Sequence, residues 1–180
     1  MILAVAFMAA TAFTLIDGEK YSTKTGKVSF YSSTPAEDIK AETNQANVIF
    51  DAASGKMAVK ILINSFEFEK ALMQKHFNGP DYMNSKEYPD ARFSGSVENY
   101  DVAKYSKDGK YDVTVKGTME IHGVKKDITE KGTLEVKGGQ RIIHTVFNVN
   151  RKDYKVEVPS MVSGKIAEVI EITVDATLSK

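Results

Sequence analysis

The sequence predicts an all-β fold: an eight-stranded, up-and-down antiparallel barrel with one short helical insertion. Three observations carry that expectation. Apolar and polar residues alternate with period two through most of the chain after residue 20. Hairpin-type turn signals separate the alternating runs. One segment, Phe66 to Pro89, breaks the alternation with helical spacing. A sheet of this size is expected to close on itself, because closure removes the unpaired edges that an open antiparallel sheet carries.

In chain order, strands are expected over Lys27–Ser33 and Ile39–Asp51. After the turn Ala53-Ser54-Gly55-Lys56, the residues Met57, Val59, Ile61 and Ile63 alternate with Ala58, Lys60, Leu62 and Asn64. Glu69 to Phe77 holds good helix formers and places Leu72, Met73, His76 and Phe77 at helical spacing. Asn78-Gly79-Pro80 then ends the helix. Phe93, Gly95 and Val97 resume the alternation. Lys107-Asp108-Gly109-Lys110 leads into a longer strand in which Tyr111, Val113, Val115, Gly117, Met119 and Ile121 form one face. His122-Gly123 marks a tight turn, and Ile128–Lys137 makes the next strand. Beyond Gly138-Gly139, Ile143, Thr145, Phe147 and Val149 alternate. The last strand turns Ile170, Ile172, Val174, Ala176 and Leu178 to one side.

The chain has 180 residues, with 24 Lys plus Arg against 24 Asp plus Glu, and no Cys. A neutral chain whose longest basic runs are Lys125-Lys126 and Arg151-Lys152 has no field to draw in nucleic acid. Without Cys, disulfides, thiolate metal sites and thiol nucleophiles are excluded. Met1 to Ile16 carries no charge. It is short of the roughly 20 apolar residues a membrane span needs and resembles the apolar part of a secretory leader, with Ala10-Thr11-Ala12 as a small-x-small cleavage site. No Lys or Arg precedes the run, so a start further upstream is expected. A buried first strand or helix is the competing reading. The expected division is therefore a leader over 1–16 and a barrel domain over 17–180, in a periplasmic or secreted protein without a stable membrane span.

Four ordered stretches resemble the YceI-like family of exported bacterial proteins. They are Leu72–Asn78 with Tyr82-Met83-Asn84-Ser85, then Tyr88–Gly95, then Val115–Lys126, and finally Phe147–Tyr154 with the strand through Ile170-Glu171-Ile172. The opening Tyr21–Phe30 is similar to members from Bacteroidetes-type bacteria. The resemblance covers nearly all of residues 20–180. It implies a lipocalin-like barrel, a periplasmic location, and a long isoprenoid lipid or isoprenoid quinone bound inside, with no other cofactor. One departure concerns Lys155, which stands where many relatives carry Gly.

On this reading the ligand-binding residues fall in two sets. Phe66, Phe68, Leu72, Met73, Phe77, Tyr82 and Met83 belong to the insertion, as a ligand-contacting lid or a permanent plug. Phe93, Val115, Met119, Ile121, Phe147, Ile172 and Val174 supply the walls. An eight-stranded barrel is wide enough either to be filled by side chains or to hold one small ligand. The inward small residues Gly95, Gly117, Gly132 and Ala176 leave room, or large neighbours fill it. In the filled case the protein would be structural or partner-binding. Monomer and homodimer stay equally open.

An enzyme acting on a lipid or quinone is the remaining class, and the residues offer it little. His76, His122 and His144 have no metal-ligand spacing. Ser94-Gly95-Ser96 lacks the context of a nucleophile elbow. Glu67 and Glu69 read as solvated, and Gly138-Gly139 as a hairpin tip. No catalytic and no metal-ligating residue is expected. One of the three arginines, Arg92, Arg141 or Arg151, could meet a ligand headgroup at the barrel rim.

Overall fold

The computed structural model describes residues 19–180; the expected leader over 1–16 lies outside them. The strands are β1 (Lys20–Ser33), β2 (Asp38–Asp51), β3 (Lys56–Leu62), β4 (Glu67–Phe68), β5 (Asp90–Val97), β6 (Gly109–Ile121), β7 (Val124–Lys137), β8 (Gln140–Asn150) and β9 (Val169–Leu178). Going round the sheet, β1 is followed by β9, β8, β7, β6, β5, β3 and β2, and β2 returns to β1. Eight antiparallel strands thus close a barrel, while two-residue β4 extends the wall beside β2. The inward faces of β3, β6, β8 and β9 are those expected from the alternation.

Turn chemistry sets the tight connections. His122 (φ 51°) with Gly123 (φ 73°), and Gly138 (φ 57°) with Gly139 (φ 78°), place two consecutive residues in the left-handed region. That is the twist-matched two-residue hairpin, which joins Ile121 to Val124 and Lys137 to Gln140.

Two expected boundaries move. β1 begins at Lys20 rather than Lys27, and β7 at Val124 rather than Ile128. In β1 the cause is a pair of opposed bulges. The β1–β2 register shifts between Thr23 and Gly26 and again between Gly26 and Val28. The buried positions of β1 therefore pass from Tyr21 to Gly26 and Val28, and those of β2 from Thr43 to Ala46 and Val48. A one-residue shift exchanges the two faces of a strand, so no single alternating pattern spans it.

The two ends of the barrel differ. At the end holding the β2–β3 turn, the β5–β6 connection packs Tyr100 and Tyr105 over the core. Their rings stack at 4.9 Å, and the Tyr100 hydroxyl donates to the Ala52 carbonyl at 2.9 Å. A one-turn helix, α2 (Val102–Tyr105), is capped by the Asp101 side chain and was not foreseen. Phe50, Leu134 and Leu178 fill this floor. Arg141 is buried here as well, its guanidinium 4.3 Å from the Tyr21 ring centroid.

At the other end two seams splay. β2 pairs with β3 only over Asn47–Phe50, and β7 pairs with β8 only from Gly132 onward. The connection over residues 63–89 fills the first seam. It comprises a 3-10 turn (Ile63–Ser65), β4 and a helix, α1 (Ala71–Phe77), shorter than the expected Glu69–Phe77. Thr43, fully buried, holds it through a 2.8 Å hydrogen bond with Ser65. The connection over 151–168 fills the second seam with Tyr154 and Val156. These pack against Val124 and Ile128 of β7 and Phe147 and Val149 of β8. Ser32 accepts a hydrogen bond from the Ala167 amide at 2.9 Å and ties this connection to β1.

Lys155 closes the 3-10 turn Arg151–Tyr154 in the left-handed region, at φ 55° and ψ 29°. That conformation costs a side-chain-bearing residue about 1 kcal/mol that glycine avoids. Lys155→Gly is expected to raise stability by roughly 0.5–1 kcal/mol after the greater unfolded-state entropy of glycine is allowed for. Urea denaturation checks this, and a variant less stable than the parent would show that the lysine stem contributes more than the strain costs.

Candidate functional site

Between the splayed seams and the packed floor lies a cavity of about 630 Å³. Its size is within the range of sites that hold small organic ligands. A filled interior, the competing expectation, is therefore not what the fold has. All fourteen residues expected at the interior border this cavity.

The strands place the wall residues by simple alternation. Val115, Met119 and Ile121 come from β6, Phe93 from β5, Phe147 from β8, and Ile172 and Val174 from β9. Sequence reasoning left out the contributions of β1, β2 and β3, where Val28, Phe30, Val48, Phe50, Met57 and Val59 also line the space. The signal was present for Met57 and Val59, whose alternation was recognised. For β1 and β2 the bulges hid it.

Of the two expectations for the small inward residues, Gly95 and Gly117 follow the one in which a large neighbour fills the space. Gly95 and Gly117 are cross-strand partners. A Cβ on Gly95 would lie 2.5 Å from the Phe93 ring, and one on Gly117 2.7 Å. The ring thus lies over both glycines and occupies the space they vacate. A Cβ on Gly132 would meet Cβ of Thr145 at 3.0 Å. The glycines let Phe93 lie along the wall rather than stand across the lumen, and so they preserve the cavity indirectly.

At the splayed end, Phe77 packs against Phe30, Phe66 and Phe68 with ring centroids 5.4, 5.8 and 5.0 Å away. Each such pair contributes about 0.5–1.5 kcal/mol beyond the area it buries. Met73, Tyr82 and Met83 continue this border, and Met83 is buried. Leu72 also borders the cavity but is 62 % exposed, so it forms the rim rather than a packed lid. The Lys70 ammonium lies 3.7 Å from the Glu37 carboxylate at the same rim. Exposed pairs of this kind contribute little to stability.

The polar groups at the cavity are few, and most are engaged by the protein. Arg151 donates to the carbonyls of Val156 (2.9 Å) and Ala167 (3.3 Å), holding the 151–168 connection. Arg92 borders the cavity with its guanidinium paired to Asp90, while Arg141 is buried at the floor and away from the rim. His144 pairs with Asp175 at 2.6 Å. His76 stacks on Tyr82, and the His122 ring packs at a tilt against Tyr88. Among the described residues, no group of three or more His, Asp or Glu is disposed to hold a metal.

Thr133, Tyr154, Lys165 and Glu130 border the cavity without a side-chain hydrogen bond or ion pair among the described residues, and of these Glu130 is the carboxylate. It lies on the inward face of β7 between Ile128 and Gly132, opposite Val115 of β6. Burial pushes its carboxyl above the ordinary value. Burial also raises Tyr154, with smaller effects from Asp153 and Glu130. A carboxyl that binds its proton more tightly folded than unfolded opposes folding once ionised, and that penalty is absent below the unfolded value of about 4.3. Glu130→Gln is thus expected to melt higher than the parent at neutral pH, with the difference vanishing below about pH 4. Thermal melts across pH check this; a difference that does not change with pH would rule out the ionised carboxyl as its cause.

Three comparisons place this geometry among known proteins. The family model described as the YceI-like domain matches residues 15–178. Comparison with curated protein sequences found no significant match. Among solved structures, a polyisoprenoid binding domain from Saccharophagus degradans, implicated in plant cell wall breakdown, aligns with a TM-score of 0.77 at 13 % identity. It covers 90 % of this chain and 98 % of that one. BcnA of Burkholderia cenocepacia aligns with a TM-score of 0.70 at 20 % identity, covering 86 % and 96 %. The YceI protein of Campylobacter jejuni aligns at 0.62 with 21 % identity, covering 78 % and 84 %. At these identities the structural likeness establishes the shared barrel.

Proposed function

The chain belongs to the YceI-like family, and from that premise we propose that it is a binding protein that carries one isoprenoid lipid or quinone in the barrel cavity. The observation that carries this reading is the cavity of about 630 Å³ bordered mainly by aliphatic and aromatic side chains. The polyisoprenoid-binding designation of the Saccharophagus degradans domain, which shares the fold, supports the ligand class. A leader-like segment over 1–16 supports export to the periplasm or beyond.

The energetics favour a chain-like apolar guest. Burial of apolar carbon contributes about 0.8 kcal/mol per methylene, so each five-carbon isoprenoid unit contributes on the order of 3 kcal/mol gross. One neutral hydrogen bond contributes about 1 kcal/mol net. Wall contact therefore sets affinity, and polar contacts set orientation, after the cost of ordering the chain is subtracted. Met73, Met83 and Met119 border the cavity, and unbranched thioethers adapt to an irregular guest. Carriage rather than catalysis is the reading because the wall is mainly aliphatic and aromatic, and the polyisoprenoid-binding designation of the Saccharophagus degradans domain supports it.

Protein purified from its native host and extracted with organic solvent should release about one isoprenoid lipid or quinone per chain, detected by mass spectrometry. Met119→Lys puts a charge on a buried wall position, and Val115→Trp fills the lumen without charge. Both folded variants should lose most of the lipid. Absence of lipid from the parent together with failure to take up added isoprenoids would refute the carrier reading, as would full lipid content in both variants.

A further inference from the structure

We propose that Glu130 is the polar anchor of the cavity and selects a ligand that ends in an uncharged hydrogen-bond donor, such as an alcohol or a quinol, over the same chain ending in a phosphate or in no donor. The inference rests on the carrier reading and gives it a headgroup. Two carboxylates border the cavity. Glu37 is at the rim, where Lys70 pairs with it. Glu130 is inside and half-buried, and among the described residues it forms no ion pair and no side-chain hydrogen bond.

Thr133, Tyr154 and Lys165 also border the cavity and carry donors, but among the described residues none of them is hydrogen-bonded to or paired with Glu130. Val115 and Ile128 flank it, and Phe93, Phe147 and Met119 also border the cavity. The Thr145 hydroxyl already donates to the Lys131 carbonyl at 2.8 Å. The Arg151 guanidinium is committed to two carbonyls of its own connection. A half-buried carboxyl in an apolar wall, without a protein donor, gains from a donor that a guest brings with it. Partial burial holds the Glu130 carboxyl above its ordinary value, which accords with this. A ligand O–H offers that donor to carboxyl or carboxylate alike, whereas a phosphate brings a second negative charge into an apolar space.

Position along the strand gives the ligand a direction. Glu130 lies six residues from Val124 at the splayed end, roughly 20 Å along β7 at about 3.3 Å per residue. Leu134 and Val136, both buried, follow toward the floor. A chain anchored at Glu130 therefore enters with its polar end first, and its tail runs back toward Phe66, Phe77 and the rim.

Three probes of one chain length separate the terms: geranylgeraniol, its methyl ether and its diphosphate, titrated into delipidated protein against a fluorescent apolar reporter. The parent should bind the alcohol about tenfold more tightly than the ether, the range expected for a hydrogen bond to an ionisable acceptor, and should bind the diphosphate most weakly. Glu130→Leu should bind alcohol and ether within twofold of each other. Glu130→Gln, which is isosteric and keeps an acceptor, should retain part of the alcohol preference and lose most of the discrimination against diphosphate. Circular dichroism of each variant confirms the barrel. A parent that binds ether as tightly as alcohol, or a Glu130→Leu variant that keeps the preference, overturns the anchor and leaves the carrier intact. Failure of the parent to bind any of the three overturns both.

Discussion

The structure depends on satisfying the backbone hydrogen bonds of a closed sheet without filling the sheet's interior. Eight strands pair around the ring, so no edge is left along the lower barrel. A barrel of that size is ordinarily small enough for its own side chains to pack solid. Here two ladders stop short. β2–β3 and β7–β8 separate toward one end, and the barrel widens there. The lost pairing is replaced by two long connections, each held by a buried hydroxyl: Thr43 through Ser65 for one, Ser32 through Ala167 for the other. The cavity is a consequence of that substitution, because side chains from a connection cover a seam without projecting across the lumen.

The contents of the barrel follow from the same geometry. At the floor, full ladders bring Phe50, Leu134 and Leu178 into contact, and Tyr100 and Tyr105 cover them. Toward the splayed end the walls separate, and rings lie against the wall or against each other. Phe93 rests over Gly95 and Gly117, and Phe77 rests among three phenylalanines. An apolar cavity of this form suits chain-like guests by area, and an inward carboxyl such as Glu130 bears on the polar end of the guest rather than on its chain.

Legibility in the sequence tracked the regularity of the strand. β6 and β9 were read nearly residue for residue, because each keeps one face inward along its whole length. The first seven residues of β1 were not, because Thr23-Lys24-Thr25 is polar and the bulge beyond it exchanges the faces. α1 was recognisable from its spacing, but its N-terminal limit was not, since Glu67-Phe68 is drawn into pairing with β2 by tertiary contact. The fourteen expected interior residues came together as a set. Glu130 was overlooked because a lone Glu in an alternating strand has the pattern of a solvated face, although Gly132, two residues on, was read as inward and shares its side of β7.

By itself the sequence determined the fold class, the order of the strands, the tight turns and the apolar character of the inward faces. Those properties are local: period-two alternation and left-handed turn residues act over a few positions. The tertiary structure alone decided whether the interior would be hollow, since that depends on where ladders end and which side chains cross the seams. It also decided that Phe93 would fill the glycine pair, that Lys155 would sit in the left-handed region, and that Glu130 would be left without an ion pair among the described residues. Each of these is a relation between residues distant in the chain, and period and composition carry no information about it.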